Sequence, residues 1–441
     1  MKKIIAILIS IVMLTALSAP IGASALTPDF NVESETALLI SLDTGDVIYD
    51  KNADVKREPA ALTAIMVTAL CMENCDDLDE TVTVDGDICD TLLGTGYVIG
   101  NLKDDEVVSI RTLVNMVMIR SAADAALILA DHFGGGDIDT FVKMMNDKAK
   151  ELGADSTKFA NVIGMHDDNH YTTAYDMAKI SQYAMDIPGF MDICSATRYT
   201  VPASNKNEEW TFSTTNYLID YITSYYYKYA SGIKTGYTDE AGRCVVSTAS
   251  YSGYNYMCIV MGGSDRNSAG EVSRTELVDS KELYRWAFNN FEYKQICSIN
   301  TVVAEIPVEL CWDTDYVSLY PEKNFSAIIP SGMDIDSIIF EPVLKEESVW
   351  APVNKGDILG YVSIICEERE IGQVNLVAGD TLKRNPIMFI GKLGSIILNS
   401  LVFRILAIAL VIMLIAAIII NIIHNKRKRR HIKRVKPMRK L

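Results

Sequence analysis

The chain has 441 residues, 49% of them hydrophobic and 22% charged, with a formal net charge of −16 at pH 7. This hydrophobic content excludes a disordered chain, and the length predicts two or more domains. The acidic balance excludes a nucleic-acid partner, because proteins that bind nucleic acids present basic surfaces.

The first 25 residues predict a secretory signal peptide. Two lysines precede a short apolar run, and Ala23-Ser24-Ala25 has the small-residue pattern of a cleavage site. A retained amino-terminal membrane helix is the alternative, but the apolar run is interrupted by Pro20 and Gly22. We expect the mature chain to begin near Leu26.

Residues 405–423 predict a transmembrane helix, because 19 apolar or nearly apolar positions span roughly a bilayer core at about 1.5 Å per residue. A juxtamembrane segment, 386–404, precedes it. The tail, 424–441, holds ten Lys or Arg and no acidic residue, which leaves −26 on residues 1–425. Since flanking basic clusters mark the cytoplasmic side, we predict a single-pass protein of the cell membrane with its ectodomain outside and its tail in the cytoplasm.

Between the termini the periodicity changes once. Residues 26–291 mix strand-like runs with helical patterns and predict a mixed α/β domain, whereas 292–385 show short alternating segments that predict a small all-β domain. The clearest strand-like runs are 36–42, 245–249 and 257–261, and the clearest helical patterns are 112–132, 137–152 and 173–185.

Nine cysteines raise the question of disulfides, which exported proteins often contain. Cys71, Cys75 and Cys89 lie close enough in sequence for two of them to pair. No spacing matches a zinc-binding cysteine motif. We expect mostly free, buried thiols, with a disulfide framework as the alternative.

The candidate chemistry begins at Lys234-Thr235-Gly236, which lies at the head of a predicted strand. In this context the triad resembles the third motif of the penicillin-binding proteins and serine β-lactamases, whose other two motifs are S-x-x-K and S-x-N. The stretch REPAALTAIMVTAL, residues 57–70, predicts an amphipathic helix and resembles the first motif of the low-molecular-weight D-alanyl-D-alanine carboxypeptidases. It has Ala61 at the serine position and Ala64 at the lysine position.

The second motif is altered in a similar way. Residues 116–135 resemble the family's S-x-N-D-A-A helix with Ser121 in place, but Ala123 stands where the family has asparagine. The resemblance covers roughly residues 30–380. It implies a mixed α and β fold, with a penicillin-binding transpeptidase-like domain followed by a small all-β sandwich.

The resemblance also implies which residues form a site. In the family the serine attacks the carbonyl of a D-Ala-D-Ala peptide bond and the lysine takes its proton; alanine can do neither, so we expect no catalytic residue. Ser121, Lys234, Thr235 and Gly236 are the expected ligand-binding residues, and a substrate carboxylate is the ligand this pocket holds in the family. The alternative is that Lys234 and Gly236 have only a structural role.

Two histidines, His166 and His170, are four positions apart and could suggest metal ligands. The resemblance places both in a loop that leads to a helix, so we expect no metal and no cofactor.

Three functions remain open. The leading one is a non-catalytic homologue that binds peptidoglycan stem peptide or acts as a scaffold for cell-wall proteins. The second is a working carboxypeptidase with an unconventional nucleophile, for which Thr63 and Ser121 are candidates. The third is an inert platform whose β domain and membrane helix bind cell-wall or membrane proteins.

Overall fold

The computed structural model describes residues 27–366 and 369–432. The expected signal peptide and the end of the expected cytoplasmic tail lie outside this range. The chain forms two units: Met1–Lys294 with Ala327–Asp334, and Gln295–Ser326 with Ile335–Leu441.

The first unit is built on a five-stranded antiparallel sheet. In chain order, the strands up to residue 263 are β1 (Thr36–Ser41), β2 (Val47–Lys51), β3 (Thr81–Thr83), β4 (Val107–Ser109), β5 (Arg198–Val201), β6 (Trp210–Ser213), β7 (Ala230–Thr238), β8 (Gly242–Tyr251) and β9 (Tyr254–Gly263). The sheet has the order β2-β1-β9-β8-β7, while β3 pairs with β4 and β5 with β6. The register places Leu39 opposite Cys258 and Thr235 opposite Val245. Thus β7, with the Lys-Thr-Gly triad inside it rather than at its head, is an edge strand.

Both faces of this sheet are covered. Successive side chains of a strand point to opposite faces, and accordingly Leu38 and Ile259 belong to one buried cluster while Leu39 and Cys258 belong to the other. Strands buried on both faces read as continuous apolar runs, which is why these segments were recognisable in the sequence.

The helices of the first unit supply the two covering layers. In chain order they are a 3-10 helix (Ala60–Thr63), α1 (Ala64–Glu73), α2 (Gly86–Asp90), α3 (Ile110–Asn115), a π-helical turn (Met116–Arg120), α4 (Ala123–Phe133), α5 (Ile138–Glu151), α6 (Ala174–Met185), α7 (Phe190–Cys194) and α8 (Thr275–Asn290). Helix α8 packs Leu283 and Tyr284 into one cluster, and α1 and α6 contribute to the other.

Two helix predictions need correction. Helix α1 is not amphipathic, since every residue from Ala64 to Met72 is buried and the helix runs through the core. The helix predicted over 112–132 is not continuous: after the π-helical turn, Ser121 adopts the left-handed conformation with φ 64° and ψ 38°. Helix α4 then starts at Ala123. Because of this break, Ser121 belongs to neither the π-helical turn nor α4.

The second unit is the predicted all-β domain, a β-sandwich. The remaining strands of the described chain are β10 (Phe291–Cys297), β11 (Ala304–Glu309), β12 (Tyr316–Pro321), β13 (Phe325–Pro330), β14 (Ile339–Leu344), β15 (Val349–Trp350), β16 (Ile358–Cys366) and β17 (Arg369–Ala378), with a 3-10 helix at Ile335–Ser337. Residues 291–294 of β10 and 327–330 of β13 belong to the first unit. Six strands form a sheet in the order β14-β16-β17-β12-β11-β15, and β10 pairs with β13. Alternating residues such as Val317 and Leu319 are buried, as the alternating pattern predicts.

Two helices follow the sandwich, α9 (Pro386–Asn399) and α10 (Leu401–Ile432). The Asn385 side chain caps α9 by accepting hydrogen bonds from the backbone of Ile387 and Met388. Within the described range, the stretch Leu401–Arg427 of α10 is long and apolar enough to cross a membrane. A candidate membrane helix therefore lies where the sequence predicts one.

The cysteines agree with the expectation of free thiols. Eight of them are free, and six of these are buried. They are Cys71, Cys75, Cys89, Cys194, Cys244, Cys258, Cys297 and Cys311.

Candidate functional site

A cavity of about 530 Å³ in the first unit contains most of the residues that the motifs single out. Ala61, Ser121, Ala123, Thr235 and Gly236 line it. Further lining comes from other segments: Thr95, Gly96, Tyr97, Val98, Arg120, Ile163, Gly164, Thr215, Tyr217, Tyr237, Thr238, Asp239, Arg243 and Arg274. The three motifs thus converge on one site, although they are far apart in sequence.

The three alanines lie in helical segments. Ala61 lies in the 3-10 helix and faces the cavity, Ala64 begins α1 and is 6% exposed, and Ala123 begins α4 and is 5% exposed. Each contributes only a methyl group. None of these side chains can act as a nucleophile, a base or a hydrogen-bond donor.

Two glycines hold the backbone around Ala61. A Cβ atom on Gly236 would lie 2.8 Å from the nitrogen of Ala61, and one on Gly164 would lie 2.0 Å from the carbonyl oxygen of Ala60. Backbone atoms cannot give way as a flexible side chain can. Glycine is therefore required at both positions for strand β7 and the 163–165 loop to pack against the 3-10 helix.

Lys234 and Ser121 form a direct contact. The Lys234 Nζ donates one hydrogen bond to Ser121 Oγ and another, of 3.0 Å, to the carbonyl oxygen of Thr235. Lys234 is 1% exposed, and burial lowers its pKa to about 7. No carboxylate of the described residues pairs with Lys234, so its charge is not neutralised by the protein there.

Hydroxyl groups and arginines complete the wall. Thr235 and Thr215 place their hydroxyl oxygens 2.6 Å apart. Arg274 bonds Glu276 with a 2.5 Å contact and lies over the Tyr217 ring, with 5.2 Å from its Cζ to the ring centroid. Among the described residues, three arginines and one acidic residue line this cavity, and Arg120 is the arginine of the three that pairs with no carboxylate there. In so acidic a chain, such a cavity favours an anionic ligand.

The arginines were not predicted from the sequence. Arg120 lies next to Ser121 within the second motif, so its position in the sequence could have identified it as a cavity residue. No pattern in the sequence singles out Arg243 or Arg274. Arg243 is the second residue of β8 and lies 2.8 Å from an Asp265 carboxylate, and Arg274 precedes α8.

Thr63, a candidate substitute nucleophile, is fully buried and does not line the cavity. Its hydroxyl donates to the Ala60 carbonyl oxygen at 2.8 Å and lies 2.8 Å from His170 Nε2. His170 Nδ1 accepts a hydrogen bond from the Ala160 backbone, so the ring proton is on Nε2, which donates to Thr63. With its proton on that nitrogen, His170 is not positioned to take the Thr63 proton.

The two histidines of the 166–170 segment lie in different environments. His170 is 1% exposed and packs edge-on against the Phe159 ring. His166 is exposed, and its Nδ1 lies 2.7 Å from a carboxylate oxygen of Glu58. The two imidazoles therefore do not act together as a ligand pair.

The structure brings the predicted ligand-binding residues together. Ser121, Thr235 and Gly236 line the cavity next to Ala61, whereas the buried Lys234 does not line it and reaches it through its hydrogen bond to Ser121. Their role in binding stays a prediction.

Comparison with known proteins agrees with this architecture. The family model described as D-alanyl-D-alanine carboxypeptidase matches residues 22–265, and the model described as Penicillin-binding protein 5, C-terminal domain, matches residues 291–384. The chain is 30% identical to D-alanyl-D-alanine carboxypeptidase DacA of Escherichia coli (strain K12) over 358 residues, which is 78% of this chain and 83% of that protein.

Two further similarities cover as much of the chain. D-alanyl-D-alanine carboxypeptidase DacF of Bacillus subtilis (strain 168) is 27% identical over 361 residues, 81% of this chain and 88% of that protein. The crystal structure of penicillin binding protein 5 from Haemophilus influenzae superposes with a TM-score of 0.62 at 25% identity, over 81% of this chain and all of the other. The chain belongs to the D-alanyl-D-alanine carboxypeptidase family.

Proposed function

We propose that this protein is a non-catalytic member of its family that binds the carboxylate end of peptidoglycan stem peptides. One observation carries the proposal: Ser121 and Thr235 line the cavity with Lys234 bonded to Ser121, while Ala61, Ala64 and Ala123 stand at the positions of the family's reactive groups. A site that loses its chemistry but keeps its binding residues can recognise a ligand without converting it.

The absence of turnover follows from what the alanines lack. In a serine protease, loss of the nucleophile alone costs about six orders of magnitude in turnover. Here the nucleophile, the adjacent lysine and the amide of the second motif are all replaced. Thr63 cannot substitute, because it is buried and its neighbour His170 donates to it.

Binding of a carboxylate is supported by Lys234, which bonds Ser121 of the cavity wall. A charge-assisted hydrogen bond contributes about 1.5–3 kcal/mol, more than a neutral one. Lys234 with a pKa near 7 has no carboxylate partner within the described part of the chain, and an anionic ligand would favour its charged form.

The binding test uses the full chain in detergent and two peptides that end in D-Ala-D-Ala, one with a free carboxylate and one amidated. The acid should bind about tenfold or more tightly than the amide. Thr235→Val should remove much of this preference, whereas Thr200→Val should not. Thr200 is a matched control, because its hydroxyl also pairs with a threonine, Thr211, at 2.9 Å, but on the surface. Equal binding of acid and amide would refute the proposal.

A working enzyme with Ser121 as nucleophile is the second candidate, and the contact with Lys234 favours it. Neutral Lys234 would take the Ser121 hydroxyl proton, the oxygen would bond to the carbonyl carbon as the C–N bond to the terminal D-alanine breaks, and the proton would pass to the leaving amine. We rank it second because Ala61, Ala64 and Ala123 stand where the family has its serine, lysine and asparagine.

The membrane part of the proposal rests on α10 and the basic residues after it. We propose that α10 anchors the chain with both folded units outside and the tail in the cytoplasm, since basic clusters stay on the cytoplasmic side. Trypsin added to intact protoplasts should digest the folded units while a tag on the tail stays protected. Digestion of the tail tag in sealed protoplasts would refute this orientation.

A scaffolding role for cell-wall or membrane proteins is a further part of the proposal. The sandwich unit carries exposed aromatic side chains that such a protein could contact, among them Trp312 at 76% exposure. If Lys234→Met leaves the cellular function intact, scaffolding rather than peptide binding accounts for it. Loss of that function in a folded Lys234→Met variant would favour peptide binding instead.

A further inference from the structure

We propose that Glu58, His166 and Glu240 bind a divalent metal ion of the zinc type beside the cavity. One ligand atom from each of these side chains lies within 4.8 Å of the other two. Imidazole nitrogen and carboxylate oxygen are ordinary zinc ligands, and three protein ligands leave a position for water or another oxygen.

The three side chains come from separate segments. Glu58 precedes the 3-10 helix that contains Ala61, His166 follows the loop at Gly164, and Glu240 lies in the turn between β7 and β8. The fold alone therefore brings them together. Gly164 and Asp239, which neighbour two of the ligands in sequence, line the cavity.

The local charge is unbalanced. Glu58 has only His166 as a partner, and Glu240 has no hydrogen-bond or ion-pair partner in the described part of the chain. Two carboxylates thus share one imidazole, and no lysine or arginine of the described residues pairs with either of them. A bound divalent cation would offset the electrostatic repulsion between the two carboxylates.

The basic side chains nearest to the three proposed ligands in sequence interact with other groups. Lys56 lies over the Tyr171 ring, 4.1 Å from its centroid, and Arg57 pairs with Glu35. On the other side, Arg243 pairs with Asp265 at 2.8 Å. These three basic residues therefore pair with neither Glu58 nor Glu240.

The loop that carries His166 is held in shape. The Asn161 side-chain oxygen accepts hydrogen bonds from the backbone of Ile163, Gly164 and Met165, and its nitrogen donates to Met165. Binding would therefore require little ordering of this loop. Ligand atoms on tetrahedral zinc are about 3.4 Å apart, so the farthest pair must approach by roughly 1.4 Å at most, which exposed side chains achieve by rotation.

Zinc titration of the full chain in detergent, purified without a histidine tag, tests the site by calorimetry. We expect one zinc ion per chain. His166→Ala and Glu240→Gln should each weaken binding by about tenfold or more, the loss that even an outer partner of a metal ligand can cause. His132→Ala is the matched control and should bind as the unchanged protein does, because His132 is an exposed imidazole outside the cluster.

Absorption spectroscopy at the zinc edge identifies the ligands. The expected spectrum has nitrogen and oxygen at about 2.0–2.2 Å and no sulfur at about 2.3 Å. Sulfur ligands would assign the ion to cysteines and overturn the proposal. So would an absence of zinc binding, or equal binding by His166→Ala.

This site does not use the carboxylate-binding residues. Thr235→Val should keep zinc binding, and His166→Ala should keep the preference for the acid over the amide. The two proposals can therefore fail separately.

Discussion

A methyl group on Gly236 would lie 2.8 Å from the backbone nitrogen of Ala61 and 3.1 Å from that of Leu62. The backbone of strand β7 thus packs closely against the first turn of the 3-10 helix. Backbone N–H groups at such a turn stabilise developing negative charge in acyl transfer. This packing depends on glycine and on the backbone, so it does not require a serine at position 61.

Restoring the reactive groups should therefore restore the reaction with penicillin. The combined variant Ala61→Ser, Ala64→Lys, Ala123→Asn is expected to form a covalent adduct with benzylpenicillin, detected as a mass increase of one drug molecule. Ala61→Ser alone should react far more slowly, because it lacks the adjacent base. Ala64 is buried, so thermal melting must first show that the combined variant is folded. A folded variant without an adduct would mean that the backbone around position 61 does not support the reaction.

Lys234 should make stability depend on pH in the alkaline range. Burial lowers its folded-state pKa to about 7, against 10.5 for the free side chain. Between these values the unfolded chain holds a proton that the folded chain does not, so stability rises with pH across this window. Lys234→Met should raise the melting temperature most below pH 7, and the gain should shrink toward pH 10.5.

Lys228→Met is the control for this series, since Lys228 is exposed and stacks on a tyrosine ring at the surface. Its effect on melting should vary little over the same range. A gain for Lys234→Met that is constant with pH would show that the buried amine is not responsible.

His170 should make the fold sensitive to acid. Burial lowers its pKa to about 4, although Asp167 acts in the opposite direction, whereas the free side chain titrates at 6.5. The unfolded chain takes up a proton between these values and the folded chain does not. Stability is therefore lost as pH falls from 6.5 to 4.

Denaturation of His170→Gln, compared with the unchanged protein over this range, isolates the effect. The variant should be less stable at neutral pH, because hydrogen bonds with Thr63 and Ala160 are lost or weakened, but its stability should fall less steeply in acid. The exposed His132→Gln should keep the original slope. An equally steep fall in His170→Gln would exclude His170 as the cause.

Much of the fold could be predicted because the sequence carries strong periodic signals. Strands β8 and β9 are buried on both faces and appear as apolar runs, and α5 and α6 begin and end within a residue or two of the predicted bounds. The break at Ser121 could not be predicted, because the residues around it continue a helical pattern. Its left-handed conformation accompanies a contact with Lys234, which is 113 positions away.

The site was predictable only where a motif marked it. Ser121, Thr235 and Gly236 belong to recognisable motifs, whereas Arg274 enters the cavity through the tertiary fold. The same is true of Thr63 and His170, whose hydrogen bond joins residues 107 positions apart. Sequence spacing alone also grouped His166 with His170, while the fold places His166 beside Glu58.

The most direct test of the central claim is the intact mass of the full-length chain after incubation with excess benzylpenicillin, with the restored combined variant as the positive control. We predict no change in mass for the unchanged protein. An increase of one drug molecule would contradict the non-catalytic account, and peptide mapping of that adduct to Ser121 would establish the pair of Ser121 and Lys234 as a working nucleophile and base.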